Sequence, residues 1–423
     1  MKKSFDPGRI QPLHFLKCVF CLFLCLLLCF PSLQPVSAAQ SADQNRETES
    51  QENTSVSGPE VSAPSALLMD ADTGTVLYAK DENTERPLAS ITKVMTLLLI
   101  FEALEQGKIS LEDTVTVSEH AASMGGSQVF LEPNETQTVD TMIKCITVAS
   151  ANDASVAMAE FVSGSEEAFV AQMNARAAEL GMEHTNFVNC CGLDADGHYS
   201  SALDIALMSR ELTVKHPQIF DYTSIWMEDI THHTSKGDST FTLSSTNRLM
   251  KQYEYATGLK TGSTSKAKFC LAATAAKDDV NLIASIMAAD DSKTRIADAI
   301  SMFNWGFANC RVFSDDNTDT LPDIPITGGR KTSLSVCYSD SFRYLDTTGS
   351  GETLSKTLDL PDTLAAPVAE GDTVGRAVYF LGDTQVGEVD ILAAETIKTL
   401  TFKDTFHLLS KVLFLGNTKE LLA

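Results

Sequence analysis

Short apolar runs near the start of the folded part are bounded by polar and turn residues, as in short strands. Residues 66–69 and 75–78 flank the turn 70–74, which contains Gly74. This pattern predicts two antiparallel strands joined by a turn. Strand patterns return after Tyr253: in a segment ending near Thr261, at 269–274 and at 280–287. Strands at both ends of one region, with helices between them, favour a mixed α+β layer in which they share a sheet.

Helical periodicity fills the interval between these strands. From Pro87 to Gly107 the chain is apolar on nearly every side, which predicts a buried helix. Ser201 and Asp204 have the spacing of a capping box at the start of a later helix. The further helices are predicted at about 138–149, 153–162, 165–180, 201–213 and 292–309.

Beyond this region the pattern changes to short strands separated by Gly, Asp and Pro. Two of them, 374–381 and 386–392, flank Gly382 and Asp383. We therefore expect a large α+β domain at 62–312, which contains the candidate chemistry described below, and a small all-β domain at 318–395.

The two ends of the chain predict export and membrane contact. Basic residues up to Lys17 precede an apolar run at 18–30, which is shorter than the ~20 residues of a membrane span. We expect a signal peptide at 1–38, cleaved after Ala38, and a disordered linker at 39–61. An uncleaved N-terminal anchor is the alternative.

The C-terminal tail at 397–423 contains an amphipathic helical pattern between Thr399 and Leu415. It is too short and too charged to span a bilayer. Two placements stay open: it lies in the membrane surface, or it docks on the protein's own β domain.

Composition removes several function classes. The chain has 423 residues and a formal net charge of −24, so its surface repels nucleic acid. Six cysteines follow the signal and could pair, although the sequence assigns no partners. Cys190 and Cys191 are adjacent and there is no CxxC pair, which favours scattered buried thiols over a zinc site. The histidines show no HxH or HExxH spacing and are interpreted as surface or turn residues; they are His184, His198, His232 and His233.

The candidate chemistry begins with Ser90 and Lys93. Residues three apart on a helix share a face, so the hydroxyl and the amine lie side by side. The amine accepts the hydroxyl proton only where burial or nearby cations lower its pKa, and the apolar flanks suit that need. An ordinary first-turn serine is the alternative.

Two further groups follow in order along the chain. Ser150 and Asn152 lie between two predicted helices, where Ser150 could relay a proton and Asn152 could hold a substrate amide or steady Lys93; a helix cap is the alternative. Lys260, Thr261 and Gly262 end a predicted edge strand, where charge and hydroxyl suit a carboxylate and glycine admits a peptide backbone. The alternative is a surface turn lysine.

These groups, with their flanking text, resemble the penicillin-interacting serine enzymes, and most of all the low-molecular-mass D-alanyl-D-alanine carboxypeptidases. The resemblance runs from about Ala63 to Ile397. The segments that carry it are 87–93, 186–187, 192–193, 197–200, 247 and 258–262, together with the Ser150 group.

The resemblance implies a β-lactamase/transpeptidase-like catalytic domain, followed by a β-rich domain and often a membrane-binding helix. It implies an extracytoplasmic enzyme that trims peptidoglycan peptides ending in D-Ala-D-Ala, is acylated by β-lactams, contacts the outer face of the cytoplasmic membrane, and needs no metal or cofactor. The implied roles are Ser90 as nucleophile, Lys93 as general base, Ser150 as proton relay, Asn152 as substrate contact, Lys260 with Thr261 and Gly262 as the carboxylate site, and the N–H groups of Ser90 and Ser263 as oxyanion hole.

Some positions depart from the family pattern. Ala151 stands where many members have Gly, Cys190 and Cys191 stand where a Pro is usual, and Ser263 stands where some have His. A β-lactamase is the alternative enzyme class, although the second domain and the lack of an ExxLN-like segment disfavour it. A non-hydrolytic wall-binding protein is the third possibility, which the complete motifs disfavour.

Overall fold

The computed structural model describes residues 58–415 apart from Ser235 and Ser350. The expected signal peptide at 1–38, the expected linker up to residue 57 and the last part of the tail, 416–423, lie outside the described residues.

A five-stranded antiparallel sheet forms the centre of the catalytic domain, in the order β2-β1-β9-β8-β7. The predicted strands are confirmed, and the sheet joins the two ends of the domain because β1 pairs with β9 along its whole length. Strand β7 is an edge of this sheet. The strands of this domain are β1 (Ser65–Asp70), β2 (Val76–Lys80), β3 (Thr114–Thr116), β4 (Thr136–Thr138), β5 (Met227–Thr234), β6 (Gly237–Ser244), β7 (Ala256–Thr264), β8 (Lys268–Lys277) and β9 (Val280–Ala289).

The helices predicted from periodicity are also confirmed, including the cap of the helix Ala202–Lys215, where the Ser201 hydroxyl accepts the N–H of Asp204 at 3.1 Å. A 3₁₀ turn at Ala89–Thr92, called the Ser90 turn below, leads directly into the first helix. The helices are α1 (Lys93–Glu105), α2 (Glu119–Ala122), α3 (Val139–Val148), α4 (Asn152–Ser163), α5 (Glu166–Glu179), α6 (Ala202–Lys215), α7 (Ile219–Thr223), α8 (Leu249–Gln252), α9 (Ser292–Asn309) and α10 (Phe402–Leu415).

Both faces of the central sheet are buried. Along β1, Leu67 and Met69 belong to the core that contains α1, whereas Ala66 and Leu68 belong to the core under α9. The period of two residues in a strand sends neighbours to opposite faces. The sheet is covered on both sides, and α1 is fully buried over most of its length. Helix α1 is therefore a rigid support for the residues at its N-terminus.

The hairpin of β5 and β6 was not predicted. Only Ile230 and His232 of β5 point inward, while the other positions are at least partly exposed and, apart from Met227, polar. This strand therefore lacks the alternation of large apolar residues that marks a half-buried strand in a sequence.

The chain enters the C-terminal β domain directly after α9, because β10 starts at Arg311 and pairs with β14. The domain core includes Phe342 and Tyr379, whose rings stack 3.7 Å apart. A four-stranded sheet has the order β13-β18-β17-β15 and a three-stranded sheet the order β12-β11-β16. The strands are β10 (Arg311–Asp315), β11 (Ile324–Thr327), β12 (Ser333–Leu334), β13 (Val336–Tyr338), β14 (Phe342–Asp346), β15 (Leu354–Asp359), β16 (Leu364–Ala365), β17 (Thr373–Leu381) and β18 (Thr384–Ala393).

Helix α10 follows this domain and exposes a stripe of large apolar side chains. Phe402 and Phe414 are each 87% exposed and Leu413 is 79% exposed. Over the residues that the structure describes, no helix has both the length and the apolar character to cross a membrane.

Candidate active site

The Ser90 turn is held in an uncommon backbone conformation. Ala89 has φ +50°, a left-handed value that costs a residue with a Cβ about 1–2 kcal/mol. Two glycines enclose the turn: a Cβ on Gly192 would lie 2.0 Å from the Ala89 carbonyl oxygen, and one on Gly262 would lie 3.0 Å from the Ser90 nitrogen. Gly262 therefore makes room for the chain's own turn, whereas the sequence had suggested room for a substrate backbone.

Lys93 is fully buried at the start of α1, and its amine meets three oxygens. Nζ lies 2.6 Å from Asn152 Oδ1, 2.6 Å from the Cys191 carbonyl oxygen and 3.2 Å from Ser90 Oγ. The two nearer oxygens are carbonyls that only accept hydrogen bonds. A neutral amine that donates to both of them directs its lone pair at the Ser90 hydroxyl, which is the geometry of a general base.

The electrostatic setting of Lys93 shifts its protonation equilibrium towards that neutral form. Burial lowers the pKa of Lys93 to about 8, and this effect outweighs the opposing influence of Cys191, Cys190 and Asp153. An amine with this pKa is partly unprotonated near neutral pH, as a base for a serine hydroxyl must be.

Ser150 lies between α3 and α4 and Asn152 is the first residue of α4, close to where the sequence placed them, but neither side chain caps the helix. The N-cap residue is Ala151, which makes no side-chain cap. Asn152 Nδ2 donates to the Gly125 carbonyl at 2.6 Å, which turns Oδ1 towards Lys93. Ser150 has φ +60° and accepts a hydrogen bond from Lys260. The helix-cap interpretation is therefore wrong for both side chains.

Lys260 reaches the same cleft from β7. Its Nζ donates to Ser150 Oγ at 2.8 Å and to the Thr261 carbonyl at 3.0 Å. Burial, followed by repulsion from Lys93 and Arg295, holds the pKa of Lys260 well below its usual value. A carboxylate that binds beside it would offset this repulsion and restore its charge.

The rest of the third motif is also on β7, within the strand and not at its end, because β7 continues to Thr264. Thr261 Oγ1 lies 2.9 Å from Thr246 Oγ1, and Ser263 is exposed at the edge of the sheet. Lys260 is buried, so the surface-turn interpretation is wrong.

His198 supports the Ser90 turn through Thr92, a role that the sequence analysis did not recognise. The Val188 N–H donates to His198 Nδ1 at 3.0 Å, so the ring proton is on Nε2, which lies 2.8 Å from Thr92 Oγ1. Thr92 in turn donates to the Ala89 carbonyl at 2.8 Å. Burial lowers the pKa of His198 to about 4, which keeps the ring neutral.

The expectation that the histidines are surface residues is wrong for two of them. His198 and His232 are each only 6% exposed, and His232 Nδ1 lies 2.7 Å from the buried carboxylate of Glu135. His184 and His233 are exposed as expected. Burial here follows from polar partners that are distant in sequence, which a spacing test does not detect.

Arg295, on the first turn of α9, also escaped the sequence analysis. This buried guanidinium donates to the carbonyls of Gly262 at 2.9 Å and Cys270 at 3.0 Å. It fixes the backbone of β7 next to Lys260 and adds positive charge to the cleft.

The six cysteines in the described region are unpaired, and all but Cys337 are buried. Cys190 and Cys191 contribute through their backbone: their carbonyl oxygens accept hydrogen bonds from Thr96 Oγ1 and Lys93 Nζ, each at 2.6 Å.

Known proteins share this arrangement of domains. A family model described as D-alanyl-D-alanine carboxypeptidase matches residues 52–291, and one described as the C-terminal domain of penicillin-binding protein 5 matches 311–399. The chain is 42% identical over 344 residues to the D-alanyl-D-alanine carboxypeptidase DacF of Bacillus subtilis, covering 80% of this chain and 87% of that protein. It is 34% identical over 279 residues to DacA of Escherichia coli, covering 64% and 66%. The crystal structure of penicillin-binding protein 5 from Haemophilus influenzae matches with a TM-score of 0.67 and 29% identity, covering 81% of this chain and 99% of that one.

The neutral state of His198 generates a prediction about stability. Because its pKa is lowered to about 4 from a usual 6.5, the folded state binds a proton less readily than the unfolded chain. Its contribution is present above pH 6.5 and is lost as pH falls towards 4, by roughly 3 kcal/mol.

Urea unfolding at pH 7, 5.5 and 4.5 measures this loss. The free energy of unfolding should fall more steeply with acid in the wild type than in His198→Gln, whose side chain does not titrate. His184→Gln, at an exposed site, serves as the control and should keep the wild-type slope. Parallel curves for the wild type and His198→Gln would contradict the assignment.

Proposed function

Because the chain belongs to the D-alanyl-D-alanine carboxypeptidase family, we propose that its activity, removal of the terminal D-alanine from cell-wall peptides, is carried by an acyl-enzyme on Ser90. The observation that carries this proposal is the position of the Lys93 amine, which donates to two carbonyls and faces the Ser90 hydroxyl at 3.2 Å.

Acylation starts when Lys93 removes the Ser90 proton. Ser90 Oγ then attacks the carbonyl carbon of the peptide bond between the two D-alanines, and the π electrons of the C=O bond move to its oxygen. The backbone N–H groups of Ser90 and Ser263 stabilise the resulting oxyanion. The two glycines that enclose the Ser90 turn support this role, since they hold the Ser90 N–H in a fixed place.

The leaving D-alanine departs as an amine and needs a proton. Ser150 donates its hydroxyl proton to that nitrogen as the C–N bond breaks and takes up the proton that Lys93 removed from Ser90, so that Lys93 is neutral again. The hydrogen bond from Lys260 holds the Ser150 hydroxyl in the cleft. Water then attacks the Ser90 ester, its proton passes to Lys93 and returns to Ser90 Oγ, and the shortened peptide leaves with a new carboxylate.

Lys260 and Thr261 bind the terminal carboxylate of the substrate, and Asn152 contacts a substrate amide. The lowered pKa of Lys260 in the empty cleft supports this role, because the carboxylate provides the negative charge that the amine lacks there. A β-lactam carries a carboxylate and a strained amide, so it enters the same cleft and acylates Ser90.

We also propose that the enzyme works outside the cytoplasm. The signal at 1–38 delivers it there, and α10 holds it at the outer face of the cytoplasmic membrane. The domain bounds that we expected, 62–312 and 318–395, stand as part of this proposal. Phe402, Phe406, Leu409 and Leu413 follow the spacing of one helical face and are exposed, while Lys403, Asp404 and His407 lie between them. This is the pattern of a helix that lies in a membrane surface.

Ser90→Ala tests the central assignment. We expect no covalent adduct with penicillin by intact-protein mass spectrometry and a loss of about a thousandfold or more in D-alanine release from a pentapeptide, because no other nucleophile occupies this place. Ser224→Ala, a change at an exposed serine, should react as the wild type does. A penicillin adduct on the Ser90→Ala protein would refute the proposal.

The pKa of Lys93 predicts the pH profile of acylation. Below pH 8 the amine is protonated and holds no lone pair for the Ser90 proton, so the second-order rate constant with nitrocefin should fall about tenfold per pH unit below an inflection near 8. Asn152→Asp places a carboxylate beside Nζ and should move this inflection upward. A rate constant that does not change between pH 6 and 8 would exclude Lys93 as the base.

Membrane contact by α10 is tested with the double variant Phe406→Ser, Leu413→Ser. Each large side chain that leaves an apolar environment costs about 1.5–3 kcal/mol, so co-sedimentation with phosphatidylglycerol-containing vesicles should weaken at least tenfold. Met227→Ser, an exposed apolar position of the catalytic domain, is the control. Equal sedimentation of all three proteins would favour docking of α10 on the β domain.

A further inference from the structure

The loop between Asn189 and Leu193 is organised by a single amide side chain. Asn189 Oδ1 accepts the backbone N–H of Gly192 at 2.7 Å and those of Cys191 and Leu193 at 3.2 Å each. Its Nδ2 donates to the Leu193 carbonyl at 2.9 Å. Three consecutive peptide N–H groups therefore converge on one oxygen.

This loop contacts both the base and the nucleophile. The Cys191 carbonyl accepts a hydrogen bond from Lys93 Nζ at 2.6 Å, and Gly192 lies against the peptide that joins Ala89 to Ser90. Gly192 has φ +87°, a conformation that the chain adopts at low cost only in glycine. A small shift of the loop therefore moves an acceptor of Lys93 and one wall of the Ser90 turn together.

The loop needs an internal acceptor to keep this shape. Cys191 and Gly192 are buried, so their N–H groups have little access to water. A buried N–H without a partner costs about 1–3 kcal/mol. With the Asn189 oxygen removed, the loop has to rotate these groups towards water, and the Cys191 carbonyl turns with them.

Other residues hold the chain that leads into the loop. Asn174 accepts the N–H of Phe187 at 2.8 Å, and His198 accepts the N–H of Val188 at 3.0 Å. The segment before Asn189 is thus fixed independently, which confines the effect of a change at Asn189 to the loop itself.

We propose that Asn189 is a positioning residue for acylation, which sets the direction of the Lys93 lone pair by fixing the Cys191 carbonyl and keeps Gly192 against the Ser90 turn. This inference rests on the proposed roles of Ser90 and Lys93. Asn189 acts through the loop backbone and does not itself contact the reacting atoms.

Stopped-flow acylation by benzylpenicillin tests the inference with Asn189→Ala and Asn189→Asp. In Asn189→Ala the first-order acylation constant should fall about ten- to a hundredfold, as expected when a reacting group is misplaced, with the dissociation constant of the initial complex unchanged. Since burial is the main cause of the lowered Lys93 pKa, water that enters a loosened loop should move the acid limb of the profile above pH 8. Asn189→Asp keeps an acceptor for the three N–H groups and should recover most of the acylation rate.

Asn186→Ala is the matched control, because Asn186 is the same residue type at the other end of the segment and its side chain donates to the Gly197 carbonyl, at 2.7 Å, and not to the loop. It should acylate at the wild-type rate. Wild-type acylation by Asn189→Ala, or equally slow acylation by folded Asn189→Ala and Asn189→Asp, would overturn the inference.

Two outcomes need to be separated from these. If Asn189→Ala does not fold, Asn189→Ser, whose hydroxyl reaches fewer of the N–H groups, replaces it under the same criteria. If the wild type itself is not acylated at Ser90, the proposed function fails; normal wild-type acylation with unaffected Asn189 variants rejects only the positioning role.

Discussion

The structure depends on keeping two lysine amines, Lys93 and Lys260, buried near each other in one cleft. Moving a charged ammonium out of water is costly, so each amine needs oxygens at close range or must give up its proton. The fold supplies those oxygens from separate parts of the chain: Asn152 from the start of α4, Ser150 from the preceding loop and Cys191 from the loop before α6. The positions of these elements therefore bear directly on the protonation of the two amines.

The sheet and the helices give this cleft its stiffness in different ways. Helix α1 is enclosed by the core and presents Lys93 at its N-terminus, while β7 is an edge strand that presents Lys260 and remains open along its free side. An edge strand offers unpaired backbone groups to an extended peptide. The rigid element therefore supports Ser90 and Lys93, the proposed nucleophile and base, and the open element presents its free edge to the cleft.

The sequence predicted those parts of the fold and of the site that depend on local patterns. The parts that it did not predict depend on backbone groups and on contacts between distant residues. The Ser90 to Lys93 spacing and the apolar run of α1 are local, so they predicted both the helix and the neighbouring side chains. The Cys191 carbonyl is a backbone group with no sequence signature, and His198 reaches Thr92 over a long stretch of chain. Strand β5 was missed because only Ile230 and His232 point inward. Side chains that act through backbone groups, as Asn189 does, are recognised only once the loop is seen.

The two glycines beside the Ser90 turn have a consequence for antibiotic resistance. Gly192 and Gly262 form the walls of the turn with main-chain atoms, and a Cβ on either would collide with the backbone that carries the nucleophile. Part of the surroundings of Ser90 therefore consists of backbone peptide groups, whose chemistry stays the same when a side chain is substituted. A substitution that weakens the reaction with a molecule that reaches Ser90 is therefore expected among the side chains of the cleft and its entrance, and not at Gly192 or Gly262.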